Sequence, residues 1–110
     1  MPMPHRTQMQ LIKRRLVGKD GSDRVRELRA ILAELPGYKN GPYADIRKWV
    51  ESQLEHLADQ LPPTERAAVV LRYGYDLDYS DIGAALGSNA TAARQAASAG
   101  IRRLRQKELR

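Results

Sequence analysis

Apolar residues spaced three and four apart divide the first sixty positions into three helical segments. Over residues 6–17, Met9, Ile12 and Leu16 recur on one side, with Leu11 flanking them and Lys13, Arg14 and Arg15 between. Gly18 and the turn Lys19-Asp20-Gly21 end this segment. Ser22 or Asp23 is expected to cap the second helix, with Glu27 near its first turn and Val25, Leu28, Ile31, Leu32 and Leu35 as its stripe. The stretch 35–42 holds two prolines, two glycines and an Asn-Gly pair, which predicts a loop too short to be a domain linker. A third helix is expected over 43–60, with Ile46, Trp49, Val50, Leu54, Leu57 and Leu61 apolar and Glu51, Glu55 and Asp59 on the other side with Arg47 and Lys48. Trp49 reads as a packing anchor rather than a platform for stacked bases.

The second half is punctuated differently. Pro63 suits the first turn of a helix, where its missing N–H costs nothing, and a helix over 64–73 would bury Ala67, Val70 and Leu71. Asp78 is placed as the N-cap of a short helix with Asp81 three residues on, and Ile82, Ala85 and Leu86 are expected to face inward. Gly87 permits the positive φ that ends that helix, and Asn89 is a favoured cap for the next. On this last helix, over about 89–104, Ala93, Ala97, Ile101 and Leu104 form an inward stripe. Thr91, Gln95, Ser98 and Arg102 lie opposite, with Arg94 at the edge. Two helices joined by a tight turn at Gly87 make a helix-turn-helix. The fold class expected is all-α, with about six helices in two regions, 1–60 and 61–110.

Charge adds a partner to this picture. The net charge of +6 and a pI near 10 suit a polyanion, because Lys and Arg neutralise phosphates and release counterions. Solubility alone is the plainer account of the same charge. With no cysteine, disulfides and thiolate metal sites are excluded, and neither His5 nor His56 has metal-ligand spacing. No stretch approaches a membrane span and the start lacks the apolar run of a secretory signal, so a soluble cytoplasmic protein without membrane contact is expected. Residues 18–22 lack the preceding strand and glycine spacing of a phosphate loop. Ser80 and Asp81 have no histidine nearby in sequence, and carboxylates fall at caps and on solvated faces, so no catalytic residue and no cofactor is expected.

The outward face of the last helix carries side chains that read nucleic acid. Arg94 suits a bidentate pair with guanine, Gln95 the same with adenine, and Thr91 a phosphate or a thymine methyl. Arg102, Arg103, Arg105 and Lys107 suit backbone phosphates, which set register without reading sequence. A basic helix end also complements the helix dipole, which is the non-functional reading of the same arginines. The DNA-contacting set expected is Asn89, Thr91, Arg94, Gln95, Ser98, Arg102, Arg103 and Arg105.

These residues carry a family resemblance. Leu61-Pro62, Glu65-Arg66-Ala67 and Leu71-Arg72-Tyr73, then Leu77-Asp78-Tyr79-Ser80-Asp81-Ile82-Gly83 and Leu86-Gly87, resemble region four of sigma-70-type sigma factors. Ala92-Ala93-Arg94-Gln95 and Ile101-Arg102-Arg103-Leu104-Arg105 are similar to that region's recognition helix and its basic close, and the likeness is strongest to the extracytoplasmic-function class. It spans about 61–105 and implies a helix-turn-helix that binds promoter DNA and meets the RNA polymerase flap. Gly83 stands where the family usually has alanine, Asp81 where it has glutamate, and Ala93 and Ala97 where bulkier residues are common. Nothing in residues 1–60 resembles the aromatic-rich region that melts promoters, so a complete sigma factor is not expected.

The leading expectation is a DNA-binding transcriptional regulator, partnered by double-stranded DNA, with RNA polymerase and a second copy of the chain as further partners. Residues 1–60 would then offer a dimerisation or partner surface. The alternative is an interaction module that contacts RNA polymerase or another protein without reading bases.

Overall fold

The computed structural model describes residues 5–35 and 43–108. The N-terminal start and the loop expected after Leu35 lie outside the described residues. The elements, in order, are α1 (His5–Leu16), α2 (Gly21–Glu34), α3 (Ala44–Ala58), α4 (Pro63–Val69) running into a π-helical turn (Val70–Gly74), α5 (Tyr79–Ala85) and α6 (Ala90–Glu108). Six α-helices and no strand appear among the described residues, as the apolar spacing predicts.

The N-terminal stripes are buried where periodicity puts them. Ile12 and Leu16 of α1, Val25, Leu28, Ile31 and Leu32 of α2, Leu35 beyond it, and Ile46, Val50 and Leu54 of α3 form one cluster. Each fully buried aliphatic side chain contributes about 1.5–3 kcal/mol relative to exposure, so this cluster holds most of the apolar stabilisation. Leu61, Val69, Ile101 and Leu104 join it from the second half. The distal end of α6 is therefore part of the core that the N-terminal helices build. Trp49 is half-buried at the margin of this cluster rather than at its centre, with the Lys13 ammonium 5.4 Å from its ring centroid. Leu11 is exposed, consistent with its flanking position.

Three local expectations need correction. The N-cap position of α2 is Asp20, not Ser22 or Asp23, its side chain makes no capping hydrogen bond, and Ser22 is buried inside the first turn. On α4 the buried residues are Ala68 and Val69, whereas Ala67, Val70 and Leu71 are half-buried. An uninterrupted 3.6-residue period fails here because the chain widens into the π turn, and such a turn changes the rotation between the residues that flank it. Gly74 closes the turn in the core, where an added Cβ would meet Leu54 Cδ2 at 3.0 Å. On α5 the buried pair is Ile82 and Gly83, while Ala85 is exposed. That helix is held by backbone proximity, which an apolarity pattern does not register.

The second cluster is small: Ala68, Ile82, Ala93 and Ala97 are buried, with Leu71, Leu77, Tyr79, Leu86 and Ala96 packed around them. Helices α4 and α5 both pack against α6. A Cβ at Gly100 would come within 2.7 Å of Val69 Cγ2 and 3.2 Å of Leu61 Cδ1, so the α4–α6 approach depends on the missing methyl. Arg66 donates to the carbonyls of Asp59 (3.4 Å) and Leu61 (3.3 Å), satisfying groups left by the end of α3.

Candidate nucleic-acid interface

The turn that presents α6 is built from ordinary capping chemistry. Asp78 accepts from the Asp81 backbone N–H at 2.9 Å and so opens α5. At its other end Gly87 has φ +68°, Gly87 N–H reaches the Ala84 carbonyl at 3.2 Å, and Ser88 N–H reaches the Gly83 carbonyl at 2.7 Å. That bond pair is a Schellman ending. The Asn89 side-chain oxygen then accepts from Ala92 N–H at 2.8 Å and opens α6. Gly83 explains the tightness of the whole unit. A Cβ there would lie 2.4 Å from the Asn89 carbonyl carbon and 2.5 Å from its oxygen. No alanine fits without separating α5 from the start of α6.

Helix α6 is two-sided. Ala93, Ala97 and Leu104 are 1 % exposed and Ile101 6 %, so the whole inward stripe is buried as expected. Thr91, Gln95, Ser98, Arg102 and Arg105, spaced four, three, four and three, are exposed along the other side. This spacing keeps five side chains on one line down the helix.

The remaining expected residues are disposed differently. Asn89 is exposed, but its side-chain oxygen is committed to the cap. The Arg94 guanidinium lies back over the Tyr79 ring, 5.2 Å from its centroid. Arg72 lies 4.7 Å from the same centroid and donates to the Leu77 carbonyl at 2.9 Å. Arg103 sits on the opposite flank, where its Nε donates to Glu65 of α4 at 2.7 Å, and this carboxylate holds the Arg103 pKa above its usual value. Arg102 and Arg105 stay on the exposed line. The set expected from sequence thus separates into five aligned side chains, one cap, one ring-stacked arginine and one interhelical ion pair.

Sequence reasoning did not single out Arg72 and Tyr79 as a pair, although both lie within the family-like motifs. Their seven-residue separation crosses the π turn and a loop, and only tertiary structure brings them together. Nor did it find Arg26 of α2, which lines a shallow groove with Tyr73, Ser98, Ile101, Arg102 and Arg105. Among the described residues no group of His, Cys, Asp or Glu could hold a metal ion, and no helix is long and apolar enough to cross a membrane.

A short helix ending in a Schellman turn, a capped second helix behind it and a polar line along that helix define a helix-turn-helix module. Residues 51–104 match the family model of sigma-70, region 4, in agreement with the resemblance carried by the helix-turn-helix motifs. Such modules are non-catalytic, bind DNA through the helix-turn-helix and meet RNA polymerase. The match begins inside α3, so α1 and α2 lie outside it. No curated protein and no solved structure matches the chain.

Proposed function

We propose that the protein is a DNA-binding transcriptional regulator that lays α6 in the major groove. The observation that carries this reading is the exposed line Thr91–Gln95–Ser98–Arg102–Arg105 on a helix whose other face is buried. Gln95 suits a bidentate pair with adenine and Thr91 a thymine methyl or a phosphate, while Arg102 and Arg105 suit backbone phosphates. Arg94 keeps its charge at the interface from its place over Tyr79. To reach a guanine edge it would give up a stacking contact worth about 0.5–1 kcal/mol at an exposed site.

Electrophoretic shift against a random duplex pool at low salt tests the reading. Binding that weakens with rising salt is expected, and Gln95→Ala with Arg94→Ala should cut discrimination between sequences by about 1–3 kcal/mol per lost bidentate contact. Absence of any duplex complex at low salt overturns it.

A second reading is favoured by the commitments of Asn89 and Arg94, which leave Thr91, Gln95 and Ser98 as the plain base-reading positions. In that reading the module contacts RNA polymerase or another protein without selecting sequence. Capture of polymerase that survives Arg94→Ala and Gln95→Ala, together with no sequence preference in the duplex pool, would support it over the first.

A further inference from the structure

The line of polar residues on α6 does not end on α6. At its distal half, Arg102, Arg105 and Ser98 share a groove with Arg26, which comes from α2 and lies outside the region 4 match. Ile101 and Tyr73 form the rest of the lining. Three arginines line the groove, and among the described residues no aspartate or glutamate does. Asp23, one turn earlier on α2, has its carboxylate 3.9 Å from the Arg26 Nη1. Both of those side chains are more than half exposed, so solvent screens their attraction strongly.

The position of Arg26 is set by the core. Val25 and Leu28 flank it in sequence and are wholly buried, which pins the rotation of α2 and points Arg26 outward. One turn on, Arg29 lies 5.3 Å from the Tyr73 ring centroid and 3.2 Å from Asp76. These contacts tie α2 to the link between the π turn and α5. Arg26 is therefore carried on a helix fixed to the helix-turn-helix unit from two sides.

We infer that Arg26 is a DNA-backbone contact: α2 extends the interface of α6 by gripping a phosphate at the edge of the groove that α6 enters. Like charges gathered in one lining, with no carboxylate among its described residues, favour an anion between them. Ser98 and Tyr73, which carry neutral hydroxyl groups, belong to the same lining. The groove is shallow and continuous with the line proposed to face bases, which fits a phosphodiester on the rim of a major groove rather than an enclosed small anion. This inference rests on the reading of α6 as a DNA-facing helix. It gives the N-terminal helices a part in binding that the region 4 match does not cover.

The test is fluorescence anisotropy of the full chain with a labelled mixed-sequence duplex over a range of salt. Arg26→Ala is expected to weaken binding about three- to tenfold at low salt and to flatten the plot of log affinity against log salt by about 0.9, the share of one phosphate contact. Arg26→Lys should keep most of that slope. Lys48→Ala, which removes one exposed charge on α3 away from the groove lining, supplies the comparison for a mere change in net charge. An Arg26→Ala effect no larger than that of Lys48→Ala, with the slope unchanged, overturns the inference while leaving DNA binding by α6 intact. If the unaltered chain shows no salt-dependent duplex binding, both fall. Matching thermal melts of the variants confirm that the exposed substitutions leave the fold in place.

Discussion

The two clusters of this molecule are packed by opposite strategies. The N-terminal helices meet through Ile12, Leu16, Val25, Leu28, Ile31, Ile46, Val50 and Leu54, large aliphatic side chains that fill the space between the helices. The second cluster buries Ala68, Ala93 and Ala97 with Ile82 as its large side chain, and Gly83 and Gly100 bring α5 and α4 close to α6 beside it. There the backbones themselves approach. A large-residue core is damaged by taking atoms away, and a small-residue core by adding them. The second arrangement stabilises less through burial but places α6 closely against its supports, which suits a helix that has to be presented in a fixed orientation.

The strongest way to test this contrast is Leu28→Ala. Leu28 is wholly buried among aliphatic neighbours, and its truncation should cost about 2–5 kcal/mol in urea or thermal unfolding. Because Ile101 and Leu104 belong to the same cluster, the helix-turn-helix should melt with the N-terminal helices in one transition. Two separate transitions would mean that the shared core does not couple the regions.

Gly83→Ala tests the other half with one added methyl. Alanine is the better helix former by about 1 kcal/mol, yet the new Cβ would meet the Asn89 backbone at 2.4 Å, and overpacking of this kind costs about 1–3 kcal/mol. A net loss of stability is expected. Gly100→Ala is expected to be milder, because the nearest atom is the Val69 side chain, which has more freedom to move than a backbone carbonyl. If Gly83→Ala is neutral or stabilising, the close approach of α5 to α6 is not a constraint.

The smallest effect concerns the ion pairs that close α1 onto α2. Arg15 donates to both Glu34 and Glu27, and its hydrogen bond holds the Glu34 carboxyl below its usual pKa. A depressed folded-state pKa contributes stability that is complete above the ordinary glutamate range, near about 4.3, and is lost as pH falls through the lower folded value. Glu34 is largely exposed, so the contribution is at most about 1 kcal/mol. Glu34→Gln should therefore lower stability slightly at neutral pH and reduce the loss on acidification below pH ~4. An unchanged acid profile would show that the pair contributes nothing in solution.

Legibility in the sequence followed the same division. Large aliphatics at intervals of three and four identified the faces of α1, α2 and α3, because such residues have one favourable place to go. The inward stripe of α6 is equally readable, since alanine, isoleucine and leucine keep the interval from Ala93 to Leu104, about three turns. On α4 the buried face lies at Ala68 and Val69 and not at Ala67, Val70 and Leu71, because nothing in the apolar pattern announces a π turn. The apolar pattern places Ala85 inward and passes over Gly83, because hydrophobicity ranks a methyl above a bare backbone, while the packing buries the bare backbone. The line Thr91–Gln95–Ser98–Arg102–Arg105 follows from helical spacing alone once the opposite face is known to be buried. The commitments of Arg94, Arg103 and Arg26 do not, because each depends on which neighbouring helix supplies a ring, a carboxylate or a second guanidinium.

The sequence by itself determined that this chain is helical, where its turns fall, and that α6 has one face for a core and one for a partner. Those properties reside in periods, caps and glycines, each set by interactions within a few residues. Tertiary structure alone decided how closely α5 approaches α6, which arginines are held by neighbours, and that α2 brings a charge to the groove beside α6. These depend on distances between segments far apart in the chain, and they are fixed only when the shared core of Leu28, Leu54, Ile101 and Leu104 brings the segments together.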